Sequence, residues 1–154
     1  MTSSTHYSVA VPPLTGTSAP ETAPRISCPA HVADLVGQEM AGHEQEHLRV
    51  LLLDSKSGLR RSFDLYIGTV DGTTVRIAEI LREAVRDNAP RLIIAHNHPS
   101  GDPIPSPQDV RVTRDLVEAG QLLDIEVLDH VIIGGTPEHP RHLSLREHRL
   151  GFSA

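Results

Sequence analysis

His96 and His98 stand one residue apart at the end of an apolar run, Arg91-Leu92-Ile93-Ile94-Ala95, and a Pro/Gly/Ser loop then leads into Ser106-Pro107-Gln108-Asp109, which opens a helical pattern. Successive side chains of a strand point to opposite faces, so His96 and His98 share one face and Asn97 takes the other. Two imidazoles can then converge on a single ion. With Asp109 as a third donor, a tetrahedral divalent cation keeps its fourth position open to water, the arrangement of a catalytic rather than a structural zinc. The expected cofactor is one Zn2+ per chain, although two histidines and one aspartate also accept other first-row ions.

The loop must bring the aspartate back to the strand end. Pro99, Pro103 and Pro105 stiffen it, which lowers the entropic cost of that return. Ser106 reads as a helix N-cap, Pro107 as the first helical residue and Asp109 as the acidic member of a capping box, so the carboxylate belongs to the first turn.

His-x-His, seven residues, Ser, two residues, Asp resembles the JAMM motif of the JAB/MPN metalloprotease superfamily. The words His96-Asn97-His98-Pro99-Ser100-Gly101-Asp102-Pro103 and Leu128-Asp129-His130-Val131-Ile132-Ile133-Gly134 are similar to the RadC branch, over about Gln45 to Arg146. The resemblance implies a single α/β domain, a mixed β-sheet flanked by helices in a three-layer, cytidine-deaminase-like architecture. It also implies a zinc-dependent hydrolase of amide or isopeptide bonds, with a peptide or protein conjugate as substrate. Such an enzyme needs an upstream glutamate near the start of a core strand, and the match to Gln45-Glu46-His47-Leu48-Arg49-Val50-Leu51-Leu52-Leu53-Asp54 assigns it to Glu46, with Glu44 in reserve. The family's serine maps to Ser106, a hydroxyl donor to the developing oxyanion. Cap and catalytic roles then compete for one side chain. The branch's association with DNA repair implies two alternatives: a non-catalytic accessory factor in repair or mobile-element biology, and a metal-dependent nuclease.

The whole chain narrows these options. Its 154 residues suffice for one domain with a real core. A formal net charge of −6 and an isoelectric point near 5.9 do not favour gripping nucleic acid by bulk electrostatics, and Arg60, Arg61, Arg111 and Arg114 read as solvated positions. Cys28 is the single cysteine, so neither an internal disulfide nor a Cys-based zinc ribbon can form. No apolar stretch approaches the roughly 18 residues of a membrane span, and no secretory signal is evident, so a cytoplasmic protein without a membrane partner is expected.

Residues 1–27 are rich in Ser, Thr, Pro and Ala without periodicity and read as a disordered tail. Residues 28–42 hold a short packing helix with Val32, Leu35, Val36 and Met40 on one side, and 43–154 form the RadC-like domain. The upstream stretch offers no paired Gly-containing hairpins, so the helix-hairpin-helix module of longer RadC proteins is not expected. His43-Glu44-Gln45-Glu46-His47 spells His-Glu-x-x-His, a helical zinc signature. The strand-like run that follows argues against it, because residues four apart on a strand lie about 13 Å apart. Hairpin strands about Asp54–Gly58, a Thr/Gly loop after Gly68, an amphipathic helix over Val75–Val85, a helix over Val110–Ala119 closed by Gly120, a strand over Ile125–Ile133 and a short last strand near His142–Ser144 complete the reading. Asp129 and His130 can serve as partners of the ligating imidazoles, which usually donate their other nitrogen, but plain structural placement is preferred; His139, His142 and His148 are assigned no metal.

Overall fold

A computed structural model describes residues 23–68 and 75–153. The tail reading for residues 1–22 and the Thr/Gly loop at 69–74 lie outside the described residues. The elements run α1 (Pro29–Ala41), β1 (Glu46–Leu53), β2 (Leu59–Gly68), α2 (Ile77–Arg86), β3 (Arg91–Asn97), α3 (Pro107–Leu122), β4 (Glu126–Gly135) and β5 (Pro140–Ser144). Five strands form one sheet in the order β2-β1-β3-β4-β5, mixed because β3 and β4 are parallel while the other neighbours are antiparallel.

Alternation along the strands sorts the core into two leaflets. Leu48, Val50, Leu52, Leu92 and Ile94 meet Ile80, Leu81, Ala84 and Leu116 of α2 and α3. Leu51, Leu53, Ile93, Ala95, Val131 and Ile133 meet Val32, Val36 and Met40 of α1. This is the expected α/β arrangement, a mixed sheet between helical layers.

Three boundaries differ from expectation for local physical reasons. Residues 23–27, read as tail, join the fold: Ile26 is buried, its N–H donates to Ser57 O, and Arg25 bridges to Gly58. Gly120 does not end α3, which continues to Leu122; the glycine lies where a Cβ would stand 2.5 Å from Ile125 O, so it admits β4's approach instead of stopping the helix. Finally, His43 and His47 are not held apart by an extended strand. Gly42 closes α1, the chain turns, and β1 starts only at Glu46, leaving the two rings stacked with centroids 3.8 Å apart.

A candidate metal centre at the end of β3

β3 ends at Asn97, but the His98 N–H still donates to Ile133 O, so the pleat persists for one more residue and both histidines face the α3 side. Opposite His96 in register lies Leu48, and Glu46, two residues before it, projects to the same face at the mouth of the site. Glu46 Oε1 lies 3.3 Å from His96 Nε2, while Asp109 places Oδ1 3.3 Å from His96 Nε2 and Oδ2 3.3 Å from His98 Nε2. The ligand atoms of Glu46, His96, His98 and Asp109 all lie within 4.8 Å of one another. Glu44 does not join this group, nor do His139, His142 or His148.

The capping box forms as the sequence indicates and also aims the carboxylate. Ser106 N–H donates to Asp109 Oδ2 at 2.7 Å, and Asp109 N–H donates to Ser106 Oγ at 3.1 Å. Because Ser106 Oγ is the acceptor in that bond, its own proton stays free to donate. The cap therefore does not consume the hydroxyl proton.

Hydrogen-bond directions determine which imidazole nitrogens carry protons. Asp102 O can only accept, so His98 Nδ1, 2.8 Å away, bears the hydrogen and in the neutral ring Nε2 is bare. For His96 the assignment comes from deeper in the core. Thr113 Oγ1 donates to Asp109 O at 2.7 Å and therefore accepts from His130 Nδ1 at 2.6 Å; His130 Nε2 is then bare and accepts from His96 Nδ1 at 2.7 Å. Both Nε2 atoms thus present lone pairs to each other at 2.9 Å, flanked by two carboxylates. Such a convergence of acceptors without a hydrogen among them fits a cation, and the imidazole/carboxylate donor set fits zinc.

Charge acts on the same atoms. Burial disfavours charge on Asp109, but the surrounding imidazoles and the Ser106 N–H outweigh it and hold the carboxyl far below the usual carboxylate range. Burial likewise opposes protonation of His98, yet Asp109 and the Asp102 carbonyl push its pKa up, so a proton competes with a cation for Nε2. Burial keeps His130 well below the ordinary imidazole value, with the neighbouring His96 adding to the effect, so it remains a neutral relay.

His130 takes the less favoured of the two places the sequence allows, beside a candidate ligand. A register shift opposite Leu92/Ile93 inserts one extra residue in β4, so Val127 packs on the α2/α3 leaflet while Val131 packs on the α1 leaflet. That change of parity turns His130 toward His96 and Asp129 the other way, onto Ser144 Oγ and the N–H of Arg146. Thr113 was not foreseen at all. Its only trace in sequence is its position one helical turn after Asp109.

Asn97, on the opposite face, holds the strand that carries Glu46: its Oδ1 accepts the His47 N–H at 2.7 Å and its Nδ2 donates to Gln45 O at 2.9 Å.

Residues 26–150 match the model of the RadC-like JAB domain. A UPF0758 protein of Chloroflexus aurantiacus is 50% identical over 127 residues, covering 82% of this chain and 54% of the relative. UPF0758 proteins of Roseiflexus castenholzii and Desulfitobacterium hafniense are 45% and 43% identical, covering 83% and 84% of this chain and 53% and 56% of theirs. The chain thus spans about half the length of these curated relatives, and α1, set apart as a separate segment from sequence, falls inside the matched region. A strand that ends in His-x-His, a capped helix that returns an aspartate, and a family match across nearly every described element together make this chain a member of the RadC-like JAB domain family.

Proposed function

We propose that the chain is a JAMM-type, zinc-dependent hydrolase of amide or isopeptide bonds, acting on a peptide or protein conjugate. The supporting observation is the pair of bare Nε2 atoms with Asp109 between them and Glu46 alongside. His96, His98 and Asp109 would hold the ion. When bound, it supplies a Lewis acid that acidifies water toward neutral pH and polarises a carbonyl.

The remaining work belongs to the chain's own groups. Glu46 is half-exposed at the mouth of the site, so it can take a proton from an incoming water and deliver it to the departing amine. Ser106 offers its unused hydroxyl proton to the carbonyl oxygen as charge develops there. His130 and Thr113 keep His96 in the tautomer whose Nε2 faces the site, and Asn97 fixes the backbone on either side of Glu46.

Peptide bonds are preferred over phosphodiesters as substrate because the acidic chain pairs many of its arginines internally: Arg49 with Glu39 and Asp64, Arg61 with Glu83 and Asp87, Arg91 with Glu126. A Glu46→Gln protein should retain its zinc and lose at least about a hundredfold in turnover of an isopeptide or peptide library. Retention of full activity would remove Glu46 from the mechanism. A wild-type protein that carries zinc but cleaves DNA in a salt-sensitive manner, and no peptide, would replace the reading with the nuclease.

A further inference from the structure

We propose that His43, His47 and Asp64 form a second site for a divalent transition metal, across the sheet from the first. One ligand atom from each lies within 4.8 Å of the others, and His47 Nδ1 is 3.1 Å from Asp64 Oδ2. The rings of His43 and His47 are stacked almost parallel, at 12°, so one ring must turn about its side-chain torsions to bring both in-plane lone pairs onto one ion. His43 Nε2 is buried and has no hydrogen-bond partner among the described residues; the nearest carboxylate, Glu39 Oε1, stands 3.9 Å away, beyond hydrogen-bond reach. A buried imidazole nitrogen left without a partner is costly, and an ion would meet that need.

The fold gathers these residues without any ion. Gly42 ends α1 so that the chain turns at His43, and Asn97 pins the turn through its bonds to the His47 N–H, Gln45 O and His43 O. Asp64 arrives from β2, where it pairs in register with Arg49. Its carboxylate is ionised: burial opposes this, but Arg49 and His47 outweigh burial.

Arg49 determines which ions the site accepts. Its guanidinium takes both Glu39 oxygens and also bonds Asp64, which offsets much of the negative charge. Hard cations that depend on carboxylates, such as Mg2+ and Ca2+, therefore gain little here, whereas Zn2+ and Co2+ gain from the two imidazoles. The same positive charge makes the ion weaker and more exchangeable than one held at the first centre.

His43 and His47 bracket Glu46 in sequence. On the reading that makes Glu46 the general base, an ion here would restrain the segment that presents it.

The test uses the full chain, stripped with chelator and dialysed against Zn2+, with Co2+ absorption as a second readout. Wild type should hold about two zinc ions, and His98→Ala/Asp109→Ala about one. In that background His43→Gln or His47→Gln should weaken the remaining ion at least about tenfold, while either change alone leaves the first centre loaded. Thermal melts identify any variant that fails to fold, and His43→Gln, at the turn, is the gentler of the two. A wild-type protein with a single zinc that His98→Ala/Asp109→Ala abolishes would overturn the second site and leave the first intact. A residual zinc indifferent to both glutamine variants would overturn it as well. If instead the only zinc were lost with His43 and His47, this proposal would stand and the hydrolase reading would fall.

Discussion

The proton on a single imidazole nitrogen decides whether His96 can accept a cation, and that proton is assigned by a hydroxyl two hydrogen bonds away. Thr113 donates to Asp109 O and so compels His130 to donate to it, which compels His96 to donate to His130. Replacing Thr113 by Val keeps the shape but strands the His130 Nδ1–H and favours the opposite tautomer, whose Nε2–H either meets the His96 Nδ1–H or drives the His96 proton onto Nε2, the ligand atom. Zinc affinity measured by competition with a chromophoric chelator should fall about 10- to 100-fold in Thr113→Val and recover in Thr113→Ser. Equal affinities in all three proteins would show that the chain of bonds does not govern the ligand. At this scale the sequence was most legible where the information is local. Ser106, Pro107 and Asp109 announce a cap from their types and spacing alone, whereas the Thr113–His130–His96 chain needs three elements docked together. The stacking of His43 on His47 was hidden for a related reason: it depends on where α1 stops and β1 starts, a difference of two or three residues that changes a 3.8 Å contact into a distant pair.

Elements place the ligands through contacts at their ends, and the loop after β3 is closely packed against the end of β4. Gly101 adopts φ +84°, its carbonyl accepts the Gly135 N–H at 2.7 Å, and its N–H donates to His98 O. Gly134 lies directly against this turn: a Cβ there would stand 2.5 Å from Gly101 O and 3.0 Å from Pro103 Cδ. Backbone cannot give way as a flexible side chain can. Gly134→Ala must therefore displace the segment that brings Asp102 O to His98 Nδ1, with a stability cost of about 1–3 kcal/mol and weaker zinc binding. Gly37 in α1 is a suitable control, because a Cβ there meets Pro140 Cβ at an ordinary 3.4 Å and Ala favours helix. Urea melts with parallel chelator competition test the pair; a Gly134→Ala protein as stable and as zinc-avid as Gly37→Ala would refute the loop's role. Strand order and helix faces were readable from alternation and periodicity, since each apolar run has one buried side. The extra residue in β4 was not, because a bulge breaks alternation without a marker in residue type, and it alone decides that His130 rather than Asp129 reaches the site.

Across the whole molecule the bulge has a second consequence, since the face that loses His130 gains a buried carboxyl. Asp129 Oδ1 accepts the N–H groups of His130 and Arg146 and Oδ2 accepts Ser144 Oγ, which fastens the segment after β5 to the sheet. These bonds favour the carboxylate, yet burial outweighs them and raises the Asp129 pKa, with Glu147 adding to the rise. The folded protein therefore binds this proton more tightly than the unfolded chain does. Asp129 contributes its full stabilisation below the unfolded value of about 3.9, and the contribution is lost as pH rises through the elevated folded value. Carboxylates held low by arginine, such as Glu39 and Asp64, contribute with the opposite slope. A single pH profile would mix the two, but comparison with Asp129→Asn separates them: asparagine keeps an acceptor for the two N–H groups, can donate to Ser144 Oγ, and does not titrate. Chemical denaturation of both proteins from pH 3.5 to neutrality should show wild type losing stability relative to Asp129→Asn as pH rises, with the difference levelling off once Asp129 is ionised in the folded state. Parallel curves, or a wild type that gains on the variant, would mean that the three hydrogen bonds overcome burial and that the carboxylate is a net support of the fold.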